Sequence, residues 1–386
     1  MHIWNPSRTR TLAFAVLALG TGALLSQAHA REKAQARDIV IAQVAPFTGS
    51  QAPSGKSIHA GIKLYIDHIN ATGGINGAKI RLVAKDDGYK PEDTVRLVKE
   101  LIASEKPVAF IATVGTANLV ALNKDGVLAK ANIPMVGGVS GGSALVGAPN
   151  IFITKATYHD EVAKLFEIVS MIGLNRIGIV YQDDAYGKDI LTGAEKAAVK
   201  TKMQIVVKAP YERNTTNVAA AVDVVIKADP PLIYLGAITT PAIEFIKQYR
   251  ARGGAAQIYG VSVIDPSAMI AKLGPQVARG YAFGTLVPPT SARVFAIVRE
   301  YQELAAKAKN PDLAERSMEG FVSAKLLVHA LRKAGNPSSS AGVIKVISST
   351  SQLDLGDYFL DFTRKEYTGS RFVDFAILGN QGRVIR

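Results

Sequence analysis

The feature that most constrains the fold of this chain is a repeated alternation of short strand-like segments with longer helix-like segments. In the first half, the apolar or β-branched runs are Ile39–Pro46, Lys79–Asp86, Val108–Thr113 and Ile133–Val136. The helical patterns between them cover Ser57–Thr72, Pro91–Ser104 and Asn118–Ala131. Such βαβ units predict a parallel sheet with helices on both faces.

The same alternation starts again in the middle of the chain. Six strand-like runs follow, at Ile151–Thr154, Arg176–Tyr181, Gln204–Ala209, Leu232–Gly236, Ile258–Val261 and Gly280–Leu286. Two successive sets of βαβ units predict two similar α/β lobes. Beyond Ala292, two long helical patterns need a sheet to cover, and two late strands are predicted around Tyr358–Phe362 and Phe372–Leu378. We therefore expect the chain to cross between the lobes more than once.

The first thirty residues have the pattern of an export signal. Arg8 and Arg10 precede the almost unbroken apolar stretch Leu12–Leu25, and Ala-His-Ala ending at Ala30 is a small-x-small cleavage pattern. The 14 residues of that stretch fall short of the roughly 20 that a transmembrane helix needs. We expect residues 1–30 to be a signal peptide cleaved after Ala30, which would place the mature protein in the periplasm.

The charge and cysteine counts narrow the possible partners. Lys and Arg number 45 against 32 Asp and Glu, a formal charge of +13. Because the basic residues form no concentrated tract and an exported protein meets no nucleic acid, we expect an anionic small ligand or an anionic membrane surface instead. The chain has no cysteine, which excludes thiol catalysis, disulfides and a lipid anchor on cysteine. Its histidines and acids lack metal-ligand spacing, so we expect neither metal nor cofactor.

One segment imitates a catalytic motif. Gly138–Gly142 matches the G-x-S-x-G nucleophile elbow around Ser140, and Asp265 and His329 follow in the chain order of a hydrolase. An elbow needs a supporting helix directly after the serine, and about eight residues before the next strand leave little room for one. An exported serine hydrolase that uses Ser140 stays open as an alternative.

Small polar and glycine-rich loops follow the predicted strands in both halves. In an open α/β sheet, ligands bind outside the carboxyl ends of the strands, where helix N-termini point free N–H groups at the ligand. The hydroxyls of Thr116 and Ser140, with nearby backbone N–H groups, could grip a carboxylate. Tyr186 offers an apolar face and a hydroxyl.

Three segments carry a resemblance to a known family. They are INATGGING at 69–77, YQDDAYG at 181–187 and GSRFVDFAILGNQGRVIR at 369–386. With them, nearly the whole chain after the signal resembles the periplasmic solute-binding proteins of branched-chain amino acid ABC transporters. The resemblance implies the type I periplasmic binding protein fold, in which two Rossmann-like α/β lobes with parallel central sheets are joined by a three-crossover hinge. It implies an N-terminal lobe of residues 38–156 and 288–370 and a C-terminal lobe of residues 157–287 and 371–386.

The resemblance also implies a function. Such a protein catalyses no reaction; it captures a small carboxylate-bearing ligand between its lobes and delivers it to a membrane permease. The ligand classes that it leaves open are branched-chain or other amino acids and aromatic or other organic acids. We expect a monomer, and a ligand sensor that serves a membrane receptor is a second alternative, because it would share the same fold.

The implied ligand-contacting positions lie in loops of both lobes. They are Ser54, Thr116, Ala117, Ser140, Gly141, Tyr158, Asp160, Tyr186, Ile238 and Ser262. Two of them depart from the amino acid binders. Ser54 replaces a tyrosine, and Ser262 replaces the glutamate that receives the ammonium of the ligand. A buried ammonium without a carboxylate is strongly unfavourable, so unless Asp160 takes that role, the ligand is expected to lack an α-amino group.

Overall fold

The strands of the protein divide between two main β-sheets, as seen in a computed structural model that describes residues 1–2, 38–335, 338–366 and 368–385. The expected signal peptide lies outside the described residues except for Met1 and His2. The first sheet is entirely parallel, with the order β2-β1-β3-β4-β5. Its strands are β1 (Ile39–Ala45), β2 (Ile80–Asp86), β3 (Ala109–Ile111), β4 (Met135–Val136) and β5 (Ile151–Phe152). The helices between them are α1 (Ala52–Ala71), α2 (Pro91–Ser104), α3 (Thr116–Asp125) and α4 (Val127–Lys130).

The second sheet has the order β14-β13-β10-β9-β8-β6-β7. Its parallel strands are β6 (Arg176–Gln182), β7 (Gln204–Tyr211), β8 (Leu232–Gly236), β9 (Gln257–Gly260) and β10 (Ala282–Thr285). The helices that accompany them are α5 (Tyr158–Met171), α6 (Ala185–Thr201), α7 (Ala219–Ala228), α8 (Thr239–Ala251) and α9 (Pro266–Ala278). The two strands β13 (Asp374–Leu378) and β14 (Val384–Ile385) add an antiparallel edge.

Three helices of the last third return to the first sheet. They are α10 (Ala296–Ala308), α11 (Ser317–Lys333) and α12 (Ser340–Ser348). Helices α11 and α1 pack so closely that a Cβ on Gly61 would lie 1.9 Å from the carbonyl oxygen of Ser317. We call the first sheet with α1–α4 and α10–α12 the first lobe, and the second sheet with α5–α9 the second lobe. The chain passes between them after β5, after β10 and again before β13, which confirms the predicted fold class.

The sequence explains the layered packing. Successive residues of β1 enter different cores, since Ile41 packs on the side of α1 and α11 while Ala42 packs on the side of α2 and α3. A strand covered on both faces has to be apolar almost throughout, as β1 is. No helix among the described residues has the length and apolar character needed to cross a membrane.

The structure corrects three details of the sequence-based expectation. The run at Ile151–Thr154 opens no second set of strands; it ends the first sheet, where Ile151 is the parallel partner of Met135. The link before it holds only a short 3-10 turn at Ser143–Leu145, which lets β5 lie directly beside β4. The strand expected at Tyr358–Phe362 is reduced to β12 (Phe359–Leu360), which pairs with β11 (Leu353–Asp354) outside both main sheets. The second sheet is parallel only up to its antiparallel edge.

Candidate ligand-binding site between the lobes

Loops at the carboxyl ends of both sheets enclose a small cavity between the lobes. Its volume is about 230 Å³, including the open space at its mouth. It is lined by Gln51, Tyr89, Val114, Gly115, Thr116 and Val139 of the first lobe, by Tyr158, Tyr186, Ile238 and Val263 of the second, and by Arg316. Larger hollows near residues 145–153 and 359–371 are lined by other parts of the chain. Of these three hollows in the described structure, the one between the lobes is lined by strand-end loops of both.

Two buried hydroxyls in contact with each other lie at the first-lobe wall, that of Thr116 in the lining and that of Ser140 directly behind it. Thr116 Oγ1 and Ser140 Oγ are 2.7 Å apart, and the Gly142 N–H donates to Ser140 Oγ over 2.9 Å. The two loops come together because Val114 and Val139 form a β-bridge beyond the ends of their strands. Thr116 opens α3, so its hydroxyl lies beside the unpaired N–H groups of the first helical turn.

Two tyrosines form the second-lobe wall. Tyr158 and Tyr186 pack edge to face, with their ring centroids 5.2 Å apart, and each is 2% exposed. The Tyr186 hydroxyl donates to the carbonyl oxygen of Ala237 over 3.0 Å. Asp184 caps α6 by accepting from the Tyr186 and Gly187 N–H groups, which fixes the helix start that carries Tyr186. Burial raises the pKa of both phenols, so they stay neutral in the physiological range.

A buried arginine completes the cavity. Arg316 is 3% exposed, its Nη1 lies 2.6 Å from Glu319 Oε1, and the same nitrogen donates to the Ser262 carbonyl oxygen over 3.0 Å. Glu319 also binds Lys155, whose Nζ is 2.7 Å from Oε2. Burial alone would raise the pKa of Glu319, but the two cations beside it lower that pKa overall. The Nε and Nη2 atoms of Arg316 have no hydrogen-bond partner among the described residues.

The acid that the sequence placed near Ser262 is not the one found there. Asp160 forms a capping box with Thr157 at the start of α5, and its carboxylate also lies 3.4 Å from Arg371. The adjacent Glu161 is fully buried and accepts from the Ser262 N–H over 2.7 Å and from its hydroxyl over 2.8 Å. Burial raises the pKa of Glu161 to about 7, although both hydrogen bonds and the nearby cations Lys155 and Arg316 favour its carboxylate form.

The structure therefore brings together only part of the expected site. Four expected residues line the cavity: Thr116, Tyr158, Tyr186 and Ile238. Ser140 contacts Thr116, and the Gly141 carbonyl oxygen accepts from the Tyr158 N–H over 2.8 Å, so both lie directly behind the lining. The remaining four, Ser54, Ala117, Asp160 and Ser262, do not line it; Ser262 lines an adjoining hollow that shares Arg316.

Seven lining residues are absent from the expected set, and three of them, Gln51, Tyr89 and Arg316, have polar side chains. Gln51 directly precedes α1, and Tyr89 lies in the turn between β2 and α2. Both belong to strand-end loops, so the loop argument could have found them. Arg316 lies between α10 and α11, far along the chain from any strand that borders the cavity. No local pattern marks it.

Polar contacts between the lobes surround the cavity. Arg213, from the second lobe, donates from Nη2 to the Tyr89 carbonyl oxygen over 2.6 Å and to Asn118 Oδ1 over 2.8 Å. Its guanidinium also lies 3.7 Å from the centre of the Tyr89 ring and pairs with Asp184. On the other side, the Ser143 N–H donates to Asp189 over 3.1 Å. These contacts hold the lobes against each other, so the structure has the closed arrangement of a clamp.

The hydrolase-like segment lacks the geometry of a catalytic triad. Ser140 is followed by a 3-10 turn instead of a helix, and its hydroxyl contacts Thr116 and Gly142. Asp265 caps α9 by accepting from the N–H groups of Ser267 and Ala268. In the described parts of the chain, no group of three or more His, Cys, Asp or Glu side chains could hold a metal ion.

Two α/β lobes that enclose a cavity between their strand-end loops define a solute-binding clamp. Residues 38–376 match the family described as periplasmic binding protein, and the chain belongs to that family. Because the family is non-enzymatic, the serine hydrolase alternative is wrong. Curated relatives of this chain include an amino acid binding protein and Leu/Ile/Val-binding protein homologues.

Individual relatives agree with this assignment. The crystal structure of a substrate-binding periplasmic protein from Ralstonia solanacearum is 41% identical, with a TM-score of 0.87 over 90% of this chain and 99% of that one. An amino acid binding protein from Pseudomonas aeruginosa is 25% identical over 255 residues, which are 63% of this chain and 66% of that relative. A solute binding protein from R. palustris, solved in complex with benzoate, is similar in fold, with 19% identity and a TM-score of 0.76 over 90% of this chain and 95% of that one.

Proposed function

We propose that this protein is the periplasmic component of an ABC importer and captures a small carboxylate-bearing ligand in the cavity between its lobes. It acts as a monomer after removal of residues 1–30 and hands the ligand to a membrane permease. Residues 38–156 with 288–370 form one moving body, and residues 157–287 with 371–386 form the other. The known ligands of its relatives, which include an amino acid class and benzoate, share the carboxylate.

The observation that carries the proposal is that the cavity is shared by both lobes. Thr116 and Tyr89 belong to one lobe and Tyr186 and Ile238 to the other, so a ligand in contact with all four can bind them together only when the lobes are closed. Ligand binding then shifts the equilibrium between open and closed forms, because only the closed form makes both sets of contacts. The permease recognises the closed, ligand-bound form.

Each wall has a separate role in this account. The hydroxyls of Thr116 and Ser140 and the N–H groups at the start of α3 hold one oxygen of the carboxylate. Tyr158, Tyr186 and Ile238 pack against the apolar body of the ligand. The contact between Arg213 and Tyr89 stabilises the closed form once the ligand has filled the cavity.

A hydroxyl deletion tests the site. Thr116→Val removes a buried hydroxyl at the cavity with little change in volume. We expect a loss of affinity of about tenfold to a hundredfold, since one hydrogen bond to a charged group contributes about 1.5–3 kcal/mol. Thr113→Val is the matched control: Thr113 is also buried, three residues earlier, and its hydroxyl has no hydrogen-bond partner in the described structure.

The measurement is isothermal titration with acids that raise the thermal midpoint of the wild type in a screen of amino acids, aromatic acids and aliphatic acids. We expect Thr113→Val to retain wild-type affinity. Equal affinities for wild type and Thr116→Val would contradict this placement of the ligand. A screen in which no carboxylate raises the midpoint would contradict the proposed function.

A further inference from the structure

The two unpartnered nitrogens of Arg316 are the most unusual feature of the cavity. A guanidinium that is 3% exposed has lost its water, and its Nε and Nη2 have no acceptor in the described structure. A buried donor without an acceptor costs free energy, so such donors are normally satisfied by the protein, water or a ligand. Arg316 lines the cavity, where a bound molecule could supply the missing acceptors.

The geometry of those two atoms selects the acceptor. Nε and Nη2 lie on the same edge of the guanidinium plane, and their N–H bonds point the same way, as two oxygens of one carboxylate require. The opposite side is already engaged, because Nη1 binds Glu319 and Ser262. Glu319 and Ser262 therefore fix the plane of Arg316 and leave one edge free to bind a carboxylate.

The charges around the cavity favour an anion without a cationic group. Among its lining residues, Arg316 is the ionic side chain, and no carboxylate is present. The nearest acids are already engaged, Glu319 with Lys155 and Arg316, and Glu161 with both donors of Ser262. An ammonium placed here would be desolvated beside a guanidinium with no counter-charge, which is strongly unfavourable.

The rest of the lining describes the body of the ligand. Apart from Gln51, Thr116 and Arg316, the cavity wall consists of tyrosines, valines, an isoleucine and a glycine. The closed cavity is small, about 230 Å³ with the open space at its mouth included, so only a compact ligand can be accommodated there.

We propose that Arg316 binds the carboxylate of the ligand through Nε and Nη2, and that the ligand is a compact aromatic or branched aliphatic carboxylic acid without an α-amino group. This inference rests on the proposed function and deepens it. It assigns the discrimination between simple acids and amino acids to one guanidinium and to the absence of a carboxylate from the lining. The hydroxyls of Thr116 and Ser140 then assist a carboxylate that Arg316 has oriented.

Matched ligands test the inference on the unmodified mature protein. Benzoate is compared with benzamide, which has nearly the same shape and no charge, and 4-methylpentanoate is compared with leucine, which adds only the α-amino group. We expect at least one acid to bind by isothermal titration. Its amide or amino acid counterpart should bind at least about a hundredfold more weakly.

Variants then locate the discrimination. Arg316→Lys keeps the positive charge but loses the two parallel N–H donors of Nε and Nη2 that bind a carboxylate in bidentate fashion. We expect about a tenfold or greater loss of affinity for the acid, with little change for benzamide. The control is Arg250→Lys. Arg250 is also partly buried, but it donates to the carbonyl oxygens of Gly254 and Ala256 at the end of α8, away from the cavity. We expect that variant to stay within about twofold of wild type.

The outcomes separate this inference from the proposed function. Leucine or benzamide binding as tightly as the matching acid would overturn the assignment to Arg316 and leave a solute-binding protein. Wild-type affinity for the acid in a folded Arg316→Lys variant would do the same. If Arg316→Lys does not fold, the ligand pairs on the wild type decide. Failure of all four compounds and of the wider acid screen to bind would overturn the proposed function itself.

Discussion

Glu161 gives the protein a dependence of stability on pH whose sign and size follow from the structure. Its carboxyl is fully buried, and burial raises its pKa from 4.5 to about 7. Between these values the folded protein keeps a proton that the unfolded chain releases. The free energy of unfolding therefore falls as pH rises from about 4.5 to about 7 and then levels off. At about 1.4 kcal/mol for each pKa unit, this one group accounts for about 3 kcal/mol.

The variant Glu161→Gln isolates that contribution. An amide keeps the size of the side chain, can accept from the Ser262 N–H and donate to the Ser262 hydroxyl, and does not titrate. We expect the difference in unfolding free energy between variant and wild type to shift in favour of the variant by about 3 kcal/mol between pH 4.5 and 8. Urea denaturation at several pH values provides the measurement.

His159 has to be separated from this effect. Its hydrogen bond with Asp189 raises its pKa above 6.5, so its contribution is complete at low pH and is likewise lost as pH rises through the folded value. The variant His159→Gln and the double variant with Glu161→Gln complete a cycle that distinguishes the two groups. Parallel pH profiles for wild type and Glu161→Gln would refute the reasoning, because they would mean that the pKa of Glu161 is the same in the folded and unfolded states.

Three further substitutions have expected outcomes. Tyr186→Ala removes part of the cavity wall and should weaken acid binding by at least about tenfold in titration calorimetry. The control Tyr301→Ala, in the first-lobe core, should lower stability but not the affinity of the folded protein. Equal losses of affinity in the two variants would contradict the placement of the ligand against Tyr186. Arg213→Lys loses its stacking on Tyr89 and its two hydrogen bonds to the first lobe, so small-angle scattering should detect a more open unliganded protein. The control Arg252→Lys, at an exposed ion pair, should scatter like the wild type. Identical scattering of the wild type and both variants would contradict the role of Arg213 in holding the lobes closed. Gly61→Ala forces a Cβ against the backbone of α11 and should lower the free energy of unfolding by at least about 2 kcal/mol in urea. An unchanged urea midpoint would contradict this close packing, because it would mean that α1 and α11 can move apart at no cost in stability.

Local periodicity predicts the two-lobed fold and a small part of the candidate site. Alternating strands and helices imply parallel sheets, and parallel sheets bring strand-end loops to one edge. Thr116 follows β3 and Tyr186 follows β6, so both belong to such loops, and both line the cavity. It could not place the strand at Ile151, because a two-residue strand after a short link carries no pattern that assigns it to one sheet or the other.

The remaining site residues depend on tertiary structure. Arg316 reaches the cavity only because the chain crosses back to the first lobe after β10. The start of α11 then lies beside Lys155, in the crossover after β5, which pairs with Glu319. Asp160 and Glu161 are neighbours in sequence, yet one caps the helix and the other is buried, since successive helical residues point about 100° apart. The pattern Thr157-x-x-Asp160 is itself a capping box and could have assigned Asp160 to the helix end.

A crystal structure of the protein with the acid that binds it most tightly would show whether the ligand lies between the lobes with its carboxylate on Arg316. We expect density for one ligand between the closed lobes, with its two carboxylate oxygens within about 3 Å of Arg316 Nε and Nη2. Its apolar group should lie between Tyr158, Tyr186 and Ile238. A ligand in the hollow beside residues 145–153, or one whose carboxylate lies away from Arg316 with an ammonium beside Glu161, would contradict this placement.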